Sequence, residues 1–250
     1  MTDTVDVWLI DSALPGDVHA GLLAVLDEQE LERTAALATG TDRERFVAAH
    51  GAARLIIGAR LGVPPARLRW TRGPHGKPAL ADPPDGVQVS LSHSGRLAVL
   101  ALAGRRRVGV DLQWLPAAVD PTRMATRYYP AGEAGWVTLA GSADERARRF
   151  GQLWARKEAC VKVAGGRLVP GLRLAVRGTD DDGTIVSDPG GVLPGPYLVR
   201  DLPAPRGFHA AVALDGVAPY RVVSHRWPGD RIPLETPMAV DTCSTVPSKP

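Results

Sequence analysis

Apolar residues in this chain of 250 change their spacing from helix period to strand period, and they do so twice. Over 42–61, Phe46, Ala49, Ala53 and Ile56 or Ile57 recur at helical spacing. Thr41 or Asp42 is placed to cap the start of that helix, and Gly62 followed by Pro64-Pro65 stops it. A Gly/Pro-rich loop over 72–84 leads into apolar runs at 87–91 and 97–102, which flank the polar Ser92-His93-Ser94-Gly95 and predict a β-hairpin with those four residues as its turn. A strand over 108–112 follows. After a proline-broken stretch at 116–130, a second long helix is predicted from about Asp144 to Ala164, ending at Gly165-Gly166. Short β-like runs come next, at 172–177, 184–187, 197–201 and 208–214. The order predicts an α+β fold in two halves, 1–107 and 108–228, with a tail at 229–250 that contains Pro, Ser and Thr.

No run approaches the roughly 18 apolar residues that span a bilayer. The N-terminus carries acids where a secretory signal carries positive charge, so no membrane and a cytoplasmic location are expected. Cys160 and Cys243 lie far apart and suggest neither a disulfide framework nor a zinc site. The net charge of +3 gathers in clusters such as Arg105-Arg106-Arg107, which suit nucleic acid, a polyphosphate cofactor or an acidic protein. No nucleic-acid motif or interleaved aromatics accompany them, so no nucleic acid is expected. A serine hydrolase ranks third among the readings, because Ser94 lacks the glycine two residues earlier that a nucleophile elbow requires.

Of 30 Lys and Arg residues only four are lysine, and three of those, Lys77, Lys157 and Lys162, sit in dense polar motifs. Lysine is a compact point charge where arginine is a planar fork, so these motifs are the place to seek phosphate chemistry. In Val108-Gly109-Val110-Asp111-Leu112-Gln113, strand alternation puts Asp111 and Gln113 on one face, about 7 Å apart, where they can offer oxygens to a hard cation. Trp154, Glu158 and Lys162 share one helix face. An i, i+4 Glu–Lys surface pair explains the last two without function, whereas a divalent site results if Glu158 meets a strand carboxylate. Ser92-His93-Ser94-Gly95 offers hydroxyls, a histidine and free backbone N–H groups suited to a phosphate.

Taken together, Gly76-Lys77-Pro78, Leu91-Ser92-His93-Ser94, Val108-Gly109-Val110-Asp111 and Trp154-Ala155-Arg156-Lys157-Glu158-Ala159-Cys160-Val161-Lys162 resemble the signature of the Sfp-type 4′-phosphopantetheinyl transferases. The resemblance spans roughly 46–168. It implies Mg²⁺-dependent transfer of the phosphopantetheine arm of coenzyme A to a serine of an acyl or peptidyl carrier protein, with release of adenosine 3′,5′-bisphosphate. It also implies a pseudo-twofold pair of halves with the site between them; a monomer is expected. In its terms Asp111, Gln113 and Glu158 are the metal ligands, and Glu158 and Lys162 the catalytic groups. The cofactor-binding residues are Arg45, His50, Lys77, Ser92, His93, Lys157 and Lys162, while Glu133 matches a further acidic position. Many members carry an acid where this chain has Gln113.

Overall fold

The computed structural model describes residues 3–73, 76–165, 171–178, 183–191 and 193–228. The predicted tail at 229–250 and the expected Gly166 terminus lie outside these. Strand β1 (Asp3–Asp11) is followed by helices α1 (Gly16–Leu23), α2 (Glu28–Ala36) and α3 (Gly40–Leu61). Two short strands, β2 (Trp70–Arg72) and β3 (Pro78–Leu80), precede the hairpin of β4 (Gln88–Ser94) and β5 (Leu97–Ala103). The chain continues through β6 (Val108–Trp114), α4 (Pro121–Tyr128), α5 (Ala131–Thr138) and α6 (Ala143–Ala164). It ends with β7 (Thr184–Val186), β8 (Tyr197–Leu202), β9 (Phe208–Asp215) and β10 (Tyr220–Trp227).

The two long helices form for the same local reasons. Thr39 caps α3 by accepting from the Asp42 N–H at 3.0 Å, and Ser142 caps α6 by accepting from the Glu145 N–H at 3.1 Å. Each ends at a glycine in the left-handed region, Gly62 at φ 64° and Gly165 at φ 66°. The α3 cap is thus Thr39, ahead of the Thr41 or Asp42 expected from spacing.

The sheets run in the orders β10-β1-β5-β4 and β6-β9-β8-β7. In each half an opening strand, a 22-residue helix and a hairpin follow one another, and the last hairpin strand pairs antiparallel with the opening strand. The sheets face each other across a shared core that includes Val5, Val99, Val110, Leu112, Val212 and Leu214. Helix α3 covers the outer face of the first sheet through Ala49, Ala53 and Ile57, and α6 covers that of the second through Phe150, Leu153 and Ala159. The result is helix, sheet, sheet, helix, with β4 and β6 meeting as edge strands.

Three sequence expectations change. Strand β10, counted by sequence with the second half, runs parallel to β1 in the first sheet, and Tyr220 at its start is buried in the shared core. The run at 172–177 forms no strand, because its backbone is taken up by side chains. Glu133 accepts from the Val176 and Arg177 N–H groups, and Arg156 donates to the Val176 carbonyl. Ser92, His93 and Ser94 lie within β4 rather than in the turn, which is made at Gly95 (φ 56°). Their backbone groups therefore belong to an edge strand that is paired on one side with β5.

Candidate active site

Strand β6 alternates as its sequence predicts, with Val108, Val110 and Leu112 in the shared core and Asp111 on the face toward α6. What lets α6 reach that face is Gly109. A Cβ there would stand 2.1 Å from the Ala159 carbonyl oxygen and 2.7 Å from the Val163 nitrogen, so the helix backbone rests directly on the strand. The close approach brings Lys162 to Asp111, whose Oδ1 accepts from Lys162 Nζ at 2.7 Å; the ammonium also donates to the Val110 carbonyl at 3.0 Å. Ser92 Oγ donates to the same Oδ1 at 2.7 Å. Asp111 Oδ2 is buried and has no partner.

Glu158 lies one turn before Lys162 on α6. Burial pushes its carboxyl up to about 7, and the negative charge of Asp111 adds to the effect against the pull of Lys162 and a hydrogen bond with Trp154. Two acids and an ammonium thus converge, with one carboxylate oxygen unpaired and one acid reluctant to ionise. That is the electrostatic signature of a site that lacks positive charge. Among the described residues no group of three or more His, Cys, Asp or Glu side chains could hold a metal, so a cation here would take part of its shell from elsewhere.

Glu158 and Lys162 face a cleft of about 340 Å³ that is lined on its other side by Glu30, Arg33, Phe46, His50 and Lys77, while Asp111 is buried behind Lys162. Lys77 Nζ donates to the Val108 carbonyl at 2.8 Å, and its ammonium is held down at about 8 by burial and then by the charges of Arg107 and Lys162. His50 stacks on Phe46 with centroids 3.9 Å apart, and its Nδ1 is paired with Glu30 Oε1 at 3.0 Å. Burial works to raise the Glu30 carboxyl, but bonding to His50 and the buried Arg54 outweighs it and leaves the group below its usual range.

His93 and Arg45 lie outside the main cleft and together line a smaller depression beside Gly95. Loss of water around His93 lowers its pKa, helped by His50, Lys162 and Arg33, although the ring is exposed and solvent softens the shift. Gln113 stands two residues from Asp111 on the same face, but its Nε2 donates to the neighbouring Trp114 carbonyl at 2.9 Å. Lys157 is not brought to the cleft. It is fully buried, its ammonium bonded to Glu133 and the Leu174 carbonyl and lying 4.6 Å from the Tyr129 ring centroid. Glu133, expected near the site, is its partner and ties the 171–178 segment to α6. Arg33 and Trp70, which also line the cleft, were not singled out by sequence. Neither belongs to a motif, and only the fold of α2 and β2 over α3 places them.

The arginine triplet that suggested an anionic partner is largely engaged. Arg106 bonds Asp3 and two carbonyl oxygens, and Arg107 bonds Asp215. No helix among the described residues is long and apolar enough to cross a membrane.

Two acids and a lysine thus meet beside a cleft lined by residues of α3 and α6. The family model of the 4′-phosphopantetheinyl transferase superfamily matches residues 107–212, a span that includes Asp111, Glu158 and Lys162. The chain is 33% identical over 168 residues to the 4′-phosphopantetheinyl transferase HetI of Nostoc sp., covering 66% of this chain and 70% of that one. It is 31% identical over 196 residues to a phosphopantetheinyl transferase of Thraustochytrium sp., covering 72% and 68%. It is 24% identical over 157 residues to the 4′-phosphopantetheinyl transferase Sfp of Bacillus subtilis, covering 62% and 67%. The chain belongs to the 4′-phosphopantetheinyl transferase superfamily and is a transferase of that class.

Proposed function

We propose that this protein transfers the 4′-phosphopantetheine group of coenzyme A to a serine of an acyl or peptidyl carrier protein, with Mg²⁺, releasing adenosine 3′,5′-bisphosphate. The observation that carries the reading is that Lys162, which lines the cleft together with Glu158, holds the buried Asp111 at 2.7 Å, while α3 supplies Phe46 and His50 to the same cleft. That both halves come from one chain supports a monomer as the working unit. The matching order of elements in the halves supports a pseudo-twofold relation between them.

The donor set fits Mg²⁺. This ion is commonly held by one or two carboxylates, with phosphate oxygens and water completing the shell. Asp111, through the unpartnered Oδ2, and Glu158 would hold it, and Gln113 lies close enough along the strand to contribute through water. When bound, the ion neutralises charge on the pyrophosphate. Lys162 adds a point charge to the same end, and Glu158, or a water it orients, accepts the proton of the attacking serine. Lys77 and His50 suit the cofactor within the cleft, and His93 and Arg45 suit its outer phosphate. Lys157 has a structural role, as the buried partner of Glu133.

The decisive experiment is mass spectrometry of apo carrier proteins incubated with this protein, coenzyme A and Mg²⁺. A gain of one phosphopantetheine is expected on at least one carrier. No gain on polyketide, nonribosomal-peptide and fatty-acid carriers would overturn the reading.

Two substitutions separate the roles. Gln113→Ala is expected to reduce turnover less than about 10-fold, because this side chain brings no charge and already bonds its own strand, while Asp111→Ala should lose about 100-fold or more. Steady-state rates across a Mg²⁺ series check the contrast, and equal losses would contradict it. Lys162→Arg keeps the charge but replaces a point donor by a fork, so kcat should fall about 10-fold with coenzyme A affinity within about twofold. Matching losses in both would assign Lys162 to ground-state binding.

A further inference from the structure

Strands β4 and β6 are the edges of different sheets, so no backbone ladder joins them. Their seam is made by side chains. Ser90, Ser92 and Ser94 alternate along β4, and all three hydroxyls reach β6. Ser90 Oγ accepts from the Val110 N–H at 3.1 Å, and Ser94 Oγ accepts from the Trp114 N–H at 2.9 Å. These two bonds fix the height of one strand against the other, and midway between them Ser92 stands opposite Asp111. Ser92 is 8% exposed and Asp111 4%, so neither can exchange partners freely with water.

We propose that Ser92 is a positioning residue for Asp111: with Lys162 it occupies Oδ1, locking the carboxylate so that Oδ2 is the oxygen left for the cation. The inference rests on the proposed role of Asp111 as a metal ligand. A carboxylate held at one oxygen by a single donor still swings about its last torsion. Two donors, one from strand β4 and one from helix α6, each at 2.7 Å, remove that freedom and decide which oxygen stays bare. The Ser92 hydroxyl has one proton, and Asp111 takes it. That assigns Ser92 to the acid rather than to the nucleotide end of coenzyme A, where the family resemblance places it. Outer partners of this kind typically change metal affinity by 10- to 100-fold when removed.

The test titrates Mn²⁺ into the full chain with saturating coenzyme A, following the free ion by electron paramagnetic resonance. Coenzyme A affinity without metal is measured by calorimetry, and each variant is melted. Ser92→Ala is expected to weaken Mn²⁺ about 10-fold with coenzyme A affinity within about twofold, and Ser92→Thr, which keeps the hydroxyl, to restore most of the loss. Ser94→Ala, which loosens the seam alone, should lower the melting temperature without moving Mn²⁺ affinity. Unchanged Mn²⁺ affinity in Ser92→Ala overturns the inference, as does lost coenzyme A affinity with Mn²⁺ binding intact, or an equal Mn²⁺ loss in Ser94→Ala. No Mn²⁺ binding by the unmutated protein overturns the role of Asp111 as a ligand, and the inference with it.

Discussion

Glu158→Gln is expected to lower turnover on an apo carrier about 10²- to 10⁴-fold while making the metal-free protein more stable at pH 8. The first effect follows from the proposed role of Glu158, which accepts the serine proton directly or through a water it orients. The second follows from what the fold does to that group. Burial, and then Asp111, raise the Glu158 carboxyl from 4.5 to about 7. Below about 4.5 it is protonated in both the folded and the unfolded chain, and stability gains or loses nothing from its ionisation. As pH rises toward 7 the unfolded chain releases the proton first, and stability falls. Above 7 the folded protein carries the whole cost of a partly buried anion beside another, no more than about 3 kcal/mol and less where water reaches it. Glutamine keeps the shape and removes the charge. Melts of the metal-free proteins should therefore coincide near pH 4.5 and separate at pH 8, with the variant higher. A residue that merely maintained the fold would give losses in both readouts, so a variant less stable at pH 8 would remove Glu158 from the chemistry. Opposite signs for stability and turnover are what a site strained for function predicts.

The same tension explains which parts of the molecule can be read in its sequence. Helices α3 and α6 are long, periodic and capped, so local signals suffice. Strand β10 is not readable in this way, since its residues are largely half-exposed and its partner β1 lies at the other end of the chain. The run at 172–177 shows the opposite failure. Its alternating Leu172, Leu174 and Val176 are buried as a strand's would be, yet Glu133 and Arg156 satisfy the backbone in place of a neighbouring strand. Period reports which side is buried, not what bonds the backbone. At the site, Asp111, Glu158 and Lys162 could be singled out because they sit in compact motifs, whereas Lys157, expected at the cofactor from the same motif, is buried on Glu133. The partner of Ser92 was not legible, because a hydroxyl in a motif has no preferred recipient until two edge strands meet. Arg33 depends in the same way on α2 and α3 folding against each other.

Gly109→Ala tests the contact on which the whole arrangement depends. The added methyl would meet the Ala159 oxygen at 2.1 Å and the Val163 nitrogen at 2.7 Å. Both are helix backbone, so no side chain can rotate out of the way. Helix α6 cannot simply lift, since Phe150, Leu153, Ala159 and Val161 hold it in the core beneath the second sheet. The strain should cost about 3 kcal/mol, lowering the melting temperature by about 6–12 °C in a chain of this size. Whatever displacement relieves it carries Glu158 and Lys162 away from Asp111, and a shift of about 1 Å can cost on the order of 100-fold in rate. Turnover measured at a temperature where circular dichroism shows the variant fully folded should therefore remain about 100-fold low. Coenzyme A affinity should change less, because Lys77 and His50, the proposed cofactor contacts, lie outside α6. Gly132→Ala is the control: it lies in α5 with nothing within 4 Å of the added Cβ, and should be neutral or slightly stabilising. If Gly109→Ala melted like Gly132→Ala and turned over normally, α6 would have room to move. The close packing at Gly109 could not then be what brings Lys162 to Asp111.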